Sequence, residues 1–220
     1  MGNLYTIATP IGNLEDITFR AIKTLKEVDI IACEDTRHTL KLLNHYDIKK
    51  PLVSYHQHSK VSKIDYLIKE LKSGKNIAIV TDAGTPGISD PGQVLISKAV
   101  EEEIKVIPIP GPSAVITALS AAGVPTDSFV FLGFLPHKKG RKTILESFKQ
   151  EKRTIVFYES PHRIEKLLGE LKEVLEDRQI VVARELTKMF EEILKGTVSE
   201  IQEKLEIIKG EFVVIVSAMK

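Results

Sequence analysis

The twelve residues Thr81 to Gly92, TDAGTPGISDPG, constrain this chain more than any other stretch. An apolar run, Asn76-Ile77-Ala78-Ile79-Val80, stops before Asp82, and an amphipathic run from Gln93 to Glu101 follows the loop. The pattern is strand, tight loop, helix. Three glycines and two prolines in the loop allow positive φ and close approach to a ligand, with little freedom left to lose on binding. Asp90 before Pro91 reads as a helix cap followed by proline at the first helical position. In an open α/β sheet, a loop of this kind at the carboxyl end of a strand is where ligands bind.

The rest of the chain supplies such a sheet. Strands are expected at Asn3–Thr9, Asp29–Cys33, Leu52–Tyr55, Asn76–Val80 and Lys105–Ile109, with helices between them. Each strand is nearly continuous in apolar residues, as a parallel sheet covered on both faces requires. Asp16 is expected to cap the first helix, whose apolar positions are Ile17, Ala21, Ile22, Leu25 and Val28. Pro110-Gly111-Pro112-Ser113 breaks the pattern, and Ser113 is placed to cap an alanine-rich helix, so the expected domains are 1–112 and 113–220. In the second domain, strands are expected at 128–133, 154–158, 179–183, 190–194 and 212–216. Ser160-Pro161 repeats the cap-plus-proline device, and Thr197 to Glu200 forms a capping box. Hairpin-capable segments late in the chain point to a mixed sheet there. The fold class is thus α/β, with a five-stranded parallel sheet followed by a mixed one.

Composition limits the function classes. Hydrophobic residues make up 43% and charged residues 28% of the 220, near average usage, so neither disorder nor a membrane class is indicated. The apolar runs are strand-sized, and no leader pattern is expected at the amino end. A single cysteine, Cys33, rules out an internal disulfide and fits a reducing cytoplasm. A net charge of +1 argues against bulk electrostatic binding of nucleic acid and leaves room for a local basic patch.

Polar residues gather where strands stop: Glu34-Asp35-Thr36-Arg37, His56, Asp82, Glu159 with His162-Arg163, and Arg184-Glu185 with Thr187-Lys188. Taken singly, each fits a solvated loop or a local ion pair. Taken together, they mark one edge of each sheet as the place for chemistry. No phosphate-binding GxxxxGK[ST] loop, GxGxxG turn, HExxH helix or GxSxG elbow occurs. His56 and His58 lack a nearby third ligand, so no metal is expected. The basic loop His137-Lys138-Lys139-Gly140-Arg141-Lys142 fits either a solvated loop or a phosphate grip.

The motifs TPIGNLEDIT, ACEDTRHT, SYHQHS, TDAGTPGISDPG, IPGPSA, GFLPHKKGR, FYESPHR, RELTK and EEILKG stand in this order along the chain. With them the sequence resembles the tetrapyrrole-methylase-like superfamily of S-adenosylmethionine-dependent methyltransferases, and within it the ribosomal RNA 2′-O-methyltransferase subgroup. The resemblance implies two α/β domains with the cofactor in the cleft between them, a cytoplasmic homodimer, and methylation of a cytidine ribose hydroxyl in 16S ribosomal RNA of the small subunit. It carries cofactor contacts onto Pro10, Gly84, Thr85, Ile88, Ser113, Ala114, Tyr158, Glu159 and Leu186. Asp35, His56 and Glu185 become candidates for the base beside the ribose hydroxyl, and Arg37, Lys138, Lys139, Arg141, Arg163 and Lys188 for RNA contacts. Thr9-Pro10-Ile11-Gly12-Asn13 replaces the glycine-rich first loop of the tetrapyrrole enzymes, which counts against a porphyrin-type substrate. Longer members of the subgroup carry a further C-terminal segment, and RNA contacts made by it are not expected of this chain.

Overall fold

The computed structural model describes residues 1–55, 61–176 and 178–219. It divides into two compact units, Met1–Ser113 and Ala114–Lys220. In the first, strands β1 (Leu4–Ile7), β2 (Ile30–Cys33), β3 (Leu52–Ser54), β4 (Ile77–Ile79) and β5 (Val106–Ile109) form one sheet in the order β3-β2-β4-β1-β5. Every pairing in it is parallel. Such pairing needs crossovers, which the helices α1 (Phe19–Glu27), α2 (Thr36–His45), α3 (Val61–Lys72) and α4 (Gly92–Glu101) provide.

Alternation along the strands builds two cores. Ile31, Cys33, Ala78, Val80 and Ile109 pack with Ala21 and Leu25 of α1 and Leu42 and Leu43 of α2. On the other face Leu4, Ile30, Ala32, Ile77 and Ile79 pack with Leu67, Ile68 and Leu71 of α3 and Leu95 and Ala99 of α4. Burying a leucine or isoleucine side chain contributes about 1.5–3 kcal/mol, so these layers supply most of the favourable free energy.

The second unit holds α5 (Ala114–Ala121), β6 (Phe129–Phe134), α6 (Arg141–Ser147), β7 (Thr154–Glu159), α7 (Ile164–Leu175), β8 (Ile180–Arg184), β9 (Glu192–Gly196), α8 (Val198–Lys204) and β10 (Phe212–Val216). Its sheet runs β6-β7-β10-β8-β9, with β6 and β7 parallel and the other neighbours antiparallel. The mixed character follows from the short β8–β9 link, which admits a hairpin but no crossover helix.

Several caps differ from the expectation. Thr18, not Asp16, caps α1, its hydroxyl accepting from the Ala21 N–H at 3.1 Å. Asp16 instead closes a 3-10 turn, Leu14–Asp16, begun by Asn13. Asp90 does not cap α4: its carboxylate accepts from the N–H groups of Gly87 at 2.9 Å and Gly92 at 2.6 Å, clipping the loop to the start of the helix. Ser160 does not cap α7, which is preceded by Arg163 and no side-chain cap. The Thr197–Glu200 capping box is present. Asn, Asp, Ser and Thr compete for local backbone donors, and the loop path decides which of two adjacent candidates reaches the helix.

Candidate functional site

At the carboxyl edge of the first sheet, the loops after all five strands are tied together. Thr9 and Gly84 form an isolated bridge, Thr9 N–H to Gly84 O at 2.9 Å and Gly84 N–H to Thr9 O at 3.0 Å. The Thr9 hydroxyl, buried, donates to Thr81 O at 3.0 Å. Gly84 sits at φ +83°, which a side chain adopts only under strain. The Thr85 hydroxyl donates to Pro112 O at 3.2 Å, joining the loop after β4 to the loop after β5. The Tyr55 hydroxyl after β3 donates to Val80 O at 2.9 Å. Burial, first, and nearby carboxylates push the Tyr55 phenol well above its ordinary pKa, so it stays a neutral donor.

The end of β2 is joined to the same loop. The Thr81 hydroxyl lies 3.2 Å from Glu34 Oε2, and the Asp35 N–H donates to Asp82 Oδ1 at 3.1 Å. Asp35 caps α2: its carboxylate accepts from the Arg37 N–H at 2.8 Å and from the Arg37 guanidinium at 3.1 and 2.6 Å. Those hydrogen bonds hold the Asp35 carboxyl well below the usual carboxylate range. Pro10, Gly84, Thr85 and Ser113 therefore belong to one laced rim. Ile88 stands beside it, half-exposed and apolar. Among the described residues, the N–H groups of Ala83 and Thr85 donate to no protein acceptor.

This rim fits a ligand with an apolar ring and a carboxylate. Ile88 offers apolar surface, and free backbone N–H groups beside a glycine at positive φ suit an anionic end. His56 lies outside the described residues. Within the described residues, no cluster of three or more His, Cys, Asp or Glu is arranged to hold a metal ion.

The second unit gathers its candidates at the edge where β7 and β8 end and β10 begins. Tyr158 packs edge-on against Phe131 with ring centres 5.1 Å apart and leans on Phe134 at 5.2 Å. Glu159 is completely buried. Its carboxylate takes Arg163 Nη2 at 2.6 Å, Arg141 Nη2 at 3.3 Å and the Ser160 N–H at 2.9 Å. Arg141, itself buried, also binds Glu170 at 2.8 Å and Pro136 O at 3.3 Å. Arg163 reaches Leu135 O at 3.1 Å. Arg141 is therefore committed to the interior, a departure from its expected place as an RNA contact; Lys138 and Lys139 stand exposed on the loop it anchors.

Beyond β8 the backbone is strained. Glu185 has φ +48° and Thr187 φ +67°, conformations costly for residues with a Cβ. The Glu185 carboxylate pairs with Lys188 Nζ at 2.8 Å and fills the space a side chain at Gly210 would need. The Thr187 hydroxyl is buried with no hydrogen-bond partner among the described residues, and Leu186 is buried beside it. Backbone strain and an unsatisfied hydroxyl coincide in this loop. A depression of about 560 Å³ lined by Lys149, Arg178, Ser217 and neighbours sits at the opposite edge of this sheet. Arg178 within it is occupied by the carbonyls of Phe148, Glu151 and Ser217, and Glu176 in its lining also has positive φ, +52°.

Sequence reasoning missed Thr9, Tyr55 and Glu170. Thr9 and Tyr55 each end a β-strand pattern with a hydroxyl facing the interior, the one signal that could have singled them out.

Known proteins resemble this chain along nearly its whole length. Residues 3–202 match the family model described as Tetrapyrrole (Corrin/Porphyrin) Methylases. A protein of Halalkalibacterium halodurans named ribosomal RNA small subunit methyltransferase I is 55% identical over 218 residues, covering 98% of this chain and 75% of the relative. The Thermotoga maritima protein of that name is 48% identical over 219 residues, covering 99% of both chains. Among solved structures, diphthine synthase superposes with a TM-score of 0.78 at 15% identity, over 99% of this chain and 90% of that one. Uroporphyrin-III C-methyl transferase from Thermus thermophilus, complexed with S-adenyl homocysteine, gives 0.67 at 15% identity, over 98% and 97%. These structural likenesses speak to the fold alone. The chain belongs to the tetrapyrrole methylase family, among members named ribosomal RNA small subunit methyltransferase I.

Proposed function

We propose that this protein is an S-adenosylmethionine-dependent methyltransferase acting on the 2′-hydroxyl of a cytidine in 16S ribosomal RNA. The single observation that carries the reading is the laced rim around Gly84, in a chain about half identical to proteins named for methylation of small-subunit ribosomal RNA. The cofactor supplies an electrophilic methyl group on a sulfonium. Pro10, Gly84, Thr85, Ile88, Ser113 and Ala114 hold its nucleoside and amino-acid ends, with main-chain N–H groups taking the carboxylate. Tyr158 and Leu186 of the second unit enter this reading through the resemblance alone. Glu159 acts from behind by fixing Arg141 and Arg163.

A ribose hydroxyl is a weak nucleophile near neutral pH and needs an acceptor for its proton. Asp35 is a poor one, because Arg37 stabilises its ionised form so strongly that it has little affinity for a proton. Glu185 accepts the hydroxyl proton in this reading, supported by the strained backbone that presents it, and His56 keeps the alternative role that the resemblance implies. Lys188 and Arg37 orient phosphate, and Lys138 and Lys139 extend the grip, fixing the nucleotide without reading its base. Alignment of hydroxyl and methyl group and exclusion of water do the remaining work. A cytoplasmic homodimer belongs to the same proposal; no described helix is long and apolar enough to cross a membrane.

Transfer of labelled methyl groups from S-adenosylmethionine tests this. Label in one 2′-O-methylcytidine of small subunits is expected. Label only in a tetrapyrrole, or tight RNA binding with no transfer, would overturn it.

A further inference from the structure

The two helical layers of the first unit carry their charges differently. On the α3–α4 layer, three lysines are matched by acids: Lys72 with Glu102 at 2.5 Å, Lys98 with Glu101 at 3.2 Å and Glu102 at 3.5 Å, and Lys75 with Glu70. On the α1–α2 layer, Arg20, Lys26 and Lys41 are exposed and have no ion pair among the described residues. Lys23 meets Glu27 only at 3.9 Å, a distance and exposure at which an ion pair contributes little. His38 and His45 are exposed on the same helix as Lys41.

Phe19 opens α1 and is 94% exposed. The Thr18 cap fixes its place at the first turn, so the ring is presented on a rigid helix end. Lys23 and Lys26 follow at four and seven residues, along the same side of the helix. The two helices form one surface, because both pack on the same face of the sheet and the Tyr46 hydroxyl after α2 donates to Leu14 O, just before α1, at 2.6 Å. Both helices begin at the carboxyl edge of the sheet, since α1 follows β1 and α2 follows β2. The surface therefore adjoins the Gly84 rim.

We infer that the outer face of α1 and α2 is a docking surface for single-stranded RNA, with Phe19 stacking on a base and Arg20, Lys23 and Lys41 taking phosphates. The inference rests on the reading that the substrate is RNA. Unpaired cations beside an exposed ring are the chemistry of single-strand binding: the cations follow the backbone and the ring accepts any base. An acidic protein partner would match the charge and leave the ring without a purpose.

The test uses the full chain and a 16S RNA fragment, with binding followed across a salt series. The triple variant Arg20→Gln, Lys23→Gln, Lys41→Gln is expected to flatten the plot of log affinity against log salt by about 2, three phosphate contacts at about 0.7 each. Phe19→Ala is expected to weaken binding roughly tenfold with the slope unchanged. Both variants should bind S-adenosylmethionine as the parent does, which separates a lost surface from a lost fold. If the parent methylates RNA while both variants bind it with parental affinity and slope, the surface is refuted and the proposed function stands. Should Phe19→Ala instead convert a dimer to monomers and leave RNA affinity intact, the face joins two copies and the inference fails. A parent that binds no RNA overturns both readings.

Discussion

Removing the Glu159 carboxylate separates two accounts of that residue. In Glu159→Ala, the guanidinium groups of Arg141 and Arg163 lose the oxygens at 3.3 and 2.6 Å, and the Ser160 N–H loses its acceptor at 2.9 Å. Breaking a buried ion pair from one side costs about 3–5 kcal/mol, because the remaining charge stays out of water. Here each cation keeps other partners: Arg141 retains Glu170 and Pro136 O, and Arg163 retains Leu135 O and the Ser160 hydroxyl. The low end, about 3 kcal/mol, is therefore expected. For a unit of this size, each kcal/mol moves the melting temperature by about 4–8 °C, so a drop of at least 10 °C follows. Scanning calorimetry is the assay, with two transitions for the two compact units and only the second displaced. A second transition within about 2 °C of the parent's would refute the argument that Glu159 is an interior clamp. Weakened S-adenosylmethionine binding in that case would assign it to direct contact.

Three further outcomes are expected. Gly210→Ala forces the Glu185 carboxylate from its place and puts a side chain at φ +82°, so methyl transfer should fall at least tenfold while cofactor binding persists; unchanged turnover would remove Glu185 from the chemistry. Burial, foremost, pushes the Cys33 thiol up, so the folded protein should react with a thiol reagent only as fast as it opens, and quick labelling of native protein would contradict the buried strand end. Asp35 has a folded pKa below its unfolded one, so its stabilising contribution is present above the ordinary carboxylate range and lost as pH falls through the lowered value. The acid limb of the methyl-transfer profile between about pH 5 and 8 should then be the same in Asp35→Asn as in the parent, and a displaced limb would show that Asp35 titrates in the reaction.

Much of the fold was legible in the sequence because the strands are short, β-branched and nearly all apolar. Ile30-Ile31-Ala32-Cys33 and Phe212–Val216 are buried throughout, and runs like these admit no other placement in an α/β chain. The capping residues were less legible, since Asp16 and Thr18 or Asp90 and Pro91 differ by one or two positions and only the loop path chooses between them. The rim residues Gly84 and Thr85 were marked by loop chemistry. Their ties to Thr9 and Pro112 were not, because those join segments far apart in sequence. Arg141 was misread for a related reason. In the string His137-Lys138-Lys139-Gly140-Arg141-Lys142 it looks like one more exposed cation, and only the fold brings it to Glu159 and Glu170.

The position of β10 bears on how the protein is made. The latest strand in the sequence is inserted between β7 and β8 and pairs with both along its whole length. The first unit holds all of its own strands by residue 109 and can condense while translation continues. The second unit cannot: until residues 212–216 leave the ribosome, β7 and β8 each present an open row of peptide groups ready to pair with a neighbouring nascent chain. A chain released at residue 211 should thus keep a protease-resistant front half and lose the back half to digestion or aggregation, because β10 is the strand that seals β7 and β8.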